Sequence, residues 1–129
     1  MQTPKTTDFE AVIQCLNQYF EGLHNADVTL LSSIFHDDAV LKAPGLRRDK
    51  QTWLEAVSNR NIPAQLNHGY HYRILSVEVV ADQAMAKVYC PLLGRHYIDF
   101  LGLLKEDGHW QIVNKMYTDS PDHSTDSNT

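Results

Sequence analysis

Asp99 makes the clearest chemical demand on its surroundings in this chain. It stands in an apolar run, Tyr97 to Leu104, among Ile98, Phe100, Leu101, Leu103 and Leu104. A carboxyl buried there needs a partner, a proton or a use. Kept neutral by an apolar cavity, it donates a hydrogen bond. Paired instead with Lys115, Arg73 or Asn114, it holds strand register and does no chemistry. The seven histidines raise the question of metal or general-base chemistry. His68 and His71 are three apart, but they straddle a loop-to-strand transition, and His36 lies beside Asp37-Asp38 in a turn. No His-x3-His or His-Glu-x2-His spacing occurs, so no metal site is expected. His24, His109 and His123 read as surface residues. Cys15 and Cys90 have no CxxC or CxxH neighbourhood and read as reduced, buried small hydrophobes.

The elements that would position these residues follow from periodicity. Thr7 and Glu10 fit a capping box. After them Phe9, Val12, Ile13, Leu16, Phe20 and Leu23 form one helical stripe ending near His24-Asn25, with Tyr19 at its edge. Asp27 caps a second short helix carrying Leu30, Leu31, Ile34 and Phe35. His36-Asp37-Asp38 breaks it, and Ala39-Val40-Leu41 forms a short strand ending at Pro44-Gly45. Asp49 caps a third helix with Trp53, Leu54 and Val57, which ends before Pro63. Strands are then expected over Tyr70 to Val80 and Ala84 to Leu93, followed by a hairpin. Its turn is Asp107-Gly108, a pair suited to the positive φ of a tight return. Helices followed by a four-stranded antiparallel meander make an α+β domain.

With 129 residues, one domain is expected, over residues 1–118, followed by a disordered polar tail over 119–129. The formal charge of −5 and the scattered basic residues argue against nucleic-acid binding. Arg47-Arg48 is the only adjacent basic pair and reads as a solvated loop. No apolar run approaches the roughly 20 residues needed to span a bilayer, so no membrane partner is expected. The N-terminus lacks the pattern of a signal peptide, which makes a cytoplasmic location the default expectation.

The order of elements resembles the nuclear-transport-factor-2-like superfamily, also called the SnoaL-like or cone fold. The resemblance runs from about Phe9 to Tyr117 on YFEGLHNAD (Tyr19 to Asp27), IFHDDAVL (Ile34 to Leu41) and DGHWQIVNK (Asp107 to Lys115). Within it, YIDFLGLLKEDGHWQIVNKMY is most similar to the lumazine-binding branch. The resemblance implies a strongly curved antiparallel sheet around a conical cavity closed by the helices. It also implies a homodimer through the outer sheet face, which would suit the both-faces-apolar strand at Tyr97 to Leu104. Ketosteroid isomerases of this superfamily use a Tyr and a protonated Asp as an oxyanion hole. Tyr19 and Asp99 fall at those two positions, and together they would stabilise an enolate-like oxygen. The isomerase base position is Ala43, before Pro44, and alanine takes no proton.

Alternation along the strands completes the expected cavity. If Trp110 and Ile112 face inward, Asn114 and Met116 follow; if Val77 and Val79 face inward, so do Arg73 and His71. Tyr97 and Asp99 share a face. A small, partly apolar ligand is therefore expected to meet Tyr19, Trp53, His71, Arg73, Tyr97, Asp99, Asn114 and Met116, with no cofactor. A second expectation is an isomerase, cyclase or dehydratase using Tyr19 and Asp99 as catalytic acid or oxyanion donors, with His71 or His36 as base. A third is a dimeric structural or accessory module whose pocket is closed by its own side chains.

Overall fold

The computed structural model describes residues 6–120. Helix α1 (Asp8–Asn25) begins at the expected capping box: the Thr7 hydroxyl accepts from Glu10 N–H, and Glu10 reaches back to Thr7. Ala26, in the left-handed conformation at φ 49°, ends it. Its stripe buries Val12, Leu16, Tyr19, Phe20 and Leu23. Gly22 lets α2 (Val28–Ile34) lie close, since a Cβ there would stand 2.6 Å from Leu31 Cγ. Asp27 caps α2 through Leu30 N–H, and Asp49 caps α3 (Lys50–Asn59) through Thr52 N–H. A 3-10 turn, Pro63–Leu66, follows.

Among the described residues six strands form one sheet: β1 (Phe35–Ala43), β2 (Leu46–Asp49), β3 (Arg73–Val80), β4 (Gln83–Leu92), β5 (Arg95–Glu106) and β6 (His109–Asp119). Their order is β2-β1-β6-β5-β4-β3. The expected meander is present as β3 to β6, but the sheet is mixed, because β1 lies parallel to β6. The second helix ends at Ile34, and the His36-Asp37-Asp38 segment already belongs to β1, inside the register shift between the pairs Phe35 with Ile112 and Val40 with Asn114. The Arg47-Arg48 segment, expected as a solvated loop, is instead strand β2, which pairs with β1 across the Pro44-Gly45 turn. The final turn has Asp107 and Gly108 both at positive φ, 51° and 79°, as an Asp-Gly hairpin requires. Asp119, where the polar tail was expected to start, still pairs with Tyr97, and Ser120 N–H donates to His96 C=O. The rest of that expected tail, residues 121–129, lies outside the described residues.

The helices cover the inner face of the sheet. Leu41, Ala84, Ala86, Val88, Leu101, Leu103 and Ile112 meet Leu16, Phe20, Leu31, Ile34 and Val57 in one core. Tertiary packing of this kind supplies most of the stability of such short helices. No helix among the described residues is long and apolar enough to cross a membrane.

Two β-bulges decide which side chains reach the interior. In β6 the register shifts at Gly102/Leu103, where Val113 is the extra residue: Leu103 opposes Ile112, but Gly102 opposes Asn114. In β3 the shift falls between Ile74 and Ser76. Each inserts one residue and so reverses the alternation beyond it.

Candidate ligand-binding site

Asp99 is 2% exposed on the inner face of β5. The Tyr19 hydroxyl, eighty residues away in sequence, donates to its Oδ2 at 2.6 Å. The Lys115 ammonium lies 3.9 Å from the same oxygen. That ammonium is also held over ring faces, 4.9 Å from the Trp53 centroid and 5.3 Å from those of Tyr19 and Tyr117. The attraction of a cation to a ring quadrupole holds the lysine in place without neutralising its charge. Of the three partners considered for Asp99, the structure supplies Lys115. Arg73 and Asn114 are carried to the other face by the bulges.

Burial sets the electrostatics here. It pushes the Tyr19 hydroxyl well above its ordinary pKa, and the negative charge of Asp99 adds to the shift. It pulls the Lys115 amine below its ordinary value, which Asp99 opposes. The Cys90 thiol is raised well above its ordinary range by burial and then by Asp99, so it remains a thiol.

Beside Asp99 is a cavity of about 80 Å³, with Arg48, Trp53, Arg60, Tyr97, Asp99, Lys115 and Tyr117 among its walls. Leu23, Cys90 and Leu92 complete it. Three strands align its charged side: Leu41 of β1 pairs with Arg48 of β2 on one flank and Lys115 of β6 on the other. Arg60 comes from the residue that ends α3. Its Nε and Nη2 are buried and have no hydrogen-bond partner among the described residues, and neither does Asp99 Oδ1. Burial lowers the pKa of the Arg60 guanidinium.

The structure brings together Trp53, Tyr97 and Asp99 of the expected set. Tyr19 is fully buried behind Asp99 and is not among the cavity walls, so it acts on the cavity through that carboxyl. Asn114 and Met116 lie on the outer face, because the Val113 bulge turns Lys115 and Tyr117 inward in their place. His71 and Arg73 are exposed; Arg73 lies 5.1 Å over the Tyr89 ring, and Tyr72 takes the buried position. His36, the other expected base, is hydrogen-bonded to Asp38 far along β1.

From the sequence, Lys115 is expected as a partner for Asp99 but not as a cavity wall, and Arg48, Arg60 and Tyr117 are not expected in the site at all. For Arg48 a signal was present, since a two-residue Pro-Gly turn places it opposite Leu41. For Arg60 there was none. A wider surface groove of about 860 Å³ runs between α2 and α3, lined by Ser32, Lys50 and Leu54 among others. Lys50 is already committed there, to Ser32 C=O, Phe35 C=O and Asp37.

A family model described as "Putative lumazine-binding" matches residues 7–118. No curated protein matches the chain. Among solved structures, an NTF2-like protein of unknown function from Shewanella baltica is similar at 23% identity, over 93% of this chain and 99% of that one, with a TM-score of 0.76. One from Silicibacter pomeroyi is 24% identical over 87% and 95%, with a TM-score of 0.70. An NTF2-like protein from Cytophaga hutchinsonii is 16% identical over 89% and 100%, also at 0.70. At these identities the likeness carries the fold: a cone-shaped α+β architecture of the NTF2-like kind.

Proposed function

Since the chain belongs to the family described as "Putative lumazine-binding", we propose that it binds a small molecule at the Asp99 cavity. The observation that carries this reading is the convergence of unpartnered polar atoms on one space, from Arg60 and Asp99, beside the aromatic walls Trp53, Tyr97 and Tyr117. Structural cores pair such groups. Ligand sites leave them for the ligand, between apolar walls. At about 80 Å³ the cavity is small against the roughly 300–1,000 Å³ of drug-sized sites. A bicyclic compound such as lumazine would therefore need its aromatic walls to swing outward.

The test is a melting-temperature screen with lumazine and a panel of small planar polar compounds, followed by NMR of the two tryptophan indole N–H signals. A binder should raise the melting temperature by mass action, by about 2.7 kcal/mol of stability at a hundredfold excess over Kd. It should move the Trp53 signal and leave Trp110, whose indole N–H donates to Asp8, in place. A panel without one such compound would instead favour a closed structural module, the reading that the small volume supports.

The outer face of the sheet supports the further reading of a homodimer. Val80, Met85, Phe100 and Met116 are exposed there, at 72%, 58%, 38% and 45%. Phe100 and Met116 are paired neighbours on β5 and β6, and large apolar side chains exposed together on one sheet face suit a covering surface. Sedimentation velocity should give a dimer, and Phe100→Glu with Met116→Glu a folded monomer; a monomeric wild type would remove the reading.

A further inference from the structure

We infer that the occupant of the Asp99 cavity is an anion, a small organic acid whose carboxylate is received by Arg60 and Lys115. The inference rests on the small-molecule reading above and adds the chemical class of the ligand. Three cationic side chains, Arg48, Arg60 and Lys115, face one carboxylate, Asp99. That carboxylate is engaged through Oδ2, which accepts from Tyr19 and lies beside Lys115, while its Oδ1 remains able to accept from a hydroxyl or amide of the ligand. Among the described residues no carboxylate lies within ion-pairing distance of Arg48 or Arg60. The chain as a whole is acidic, at −5, so this local excess of positive charge runs against its average.

A half-buried guanidinium with two orphaned N–H groups is expensive to maintain without an acceptor. A carboxylate matches it well, because its two oxygens accept from the planar fork with charge-assisted strength. The cations also repel one another: Arg48 and Arg60 both depress the Lys115 amine, and Arg48 depresses Arg60. An anion placed among them relieves that repulsion. A neutral ligand leaves it in full. The volume of about 80 Å³ is that of roughly two to three waters. It suits an acid of two or three carbons, or a larger acid inserted carboxylate first past Tyr97 and Tyr117.

The experiment compares acetate, propionate and glycolate with acetamide and propionamide, by calorimetry and melting temperature at constant ionic strength. The acids should bind, with the amides at least about tenfold weaker. Arg60→Ala should weaken the acids by at least about tenfold. Arg47→Ala, which removes an exposed neighbouring charge, should leave them unchanged. Amides that bind as tightly as acids, or acids that bind Arg60→Ala as well as wild type, would overturn the anion inference and leave the small-molecule reading standing. If acids, amides and the planar panel all fail, both readings fall together. Should Arg60→Ala not fold, the Arg60 Nε–H signal of the wild type decides. It should shift and gain protection from solvent exchange on adding propionate; an unmoved signal at saturating propionate would refute the inference.

Discussion

Replacing Asp99 with asparagine is expected to lower stability by about 3–5 kcal/mol near pH 7, because it leaves a buried ammonium without its counter-charge. Asparagine can still accept from the Tyr19 hydroxyl, so the loss reports the charge and not the hydrogen bond. Lys115 then lies under three aromatic rings with Arg48 and Arg60 for company. The pH dependence identifies the cause. Burial already holds the Lys115 amine below its ordinary pKa in the folded state. Above that folded value the unfolded chain binds more protons, so stability rises with pH until the unfolded lysine also titrates. Asp99 opposes the depression, so in Asp99→Asn the rise begins at lower pH and is larger. The gap between variant and wild type should therefore narrow from about pH 7 to about pH 10, by at most about 1.4 kcal/mol per unit. Adding Lys115→Met should restore most of the loss. Urea denaturation across that range measures both; a gap independent of pH would mean that the buried Lys115 charge is not the cause of the loss.

Trp53→Ala should cost about 3–5 kcal/mol, the range for deleting a large buried aromatic. The indole is 3% exposed, in tilted contact with the Phe35 ring at 4.8 Å and capped by Lys115. Its removal takes away a wall of the cavity as well as a cation–π partner. Trp53→Phe, which retains an aromatic face, should lose less than half as much. The enlarged space should accept free indole, as engineered apolar cavities accept small aromatics. Added indole should then raise the melting temperature of Trp53→Ala and leave the wild type unaffected. A loss below about 1 kcal/mol, against the core-truncation range, would mean that the neighbouring side chains collapse into the space.

Local signals in the sequence were enough for the caps at Thr7, Asp27 and Asp49, the stripe of α1 and the Asp107-Gly108 turn. Each involves residues within one turn or one hairpin, so the physics that fixes it is written in a few neighbouring letters. Of the expected pocket residues, Trp53, Tyr97 and Asp99 do line the cavity, because the strand or helix that carries each runs regularly up to it. The site was misread at Asn114, Met116, His71 and Arg73 for one shared reason. A strict period of two, continued through a bulge, assigns every later side chain to the wrong face. No residue type marks these bulges: Val113 and Leu75 look like ordinary strand residues. The parallel contact of β1 with β6 was equally silent, because it depends on where two distant segments meet.

That parallel contact also dictates an order of assembly. A ribosome delivers all three helices, β1 and β2 before any of β3 to β6 exists. The pairing edge of β1 must wait for β6, the last strand made, and its contacts are among the most distant in the chain, such as Leu41 with Lys115. Loop closure over such separations is slow, and a waiting edge invites foreign pairing. Arg48 and Arg60 thus emerge long before Asp99 and Lys115 complete the space they share. Ligand binding can then assist only the final docking step and not the earlier collapse.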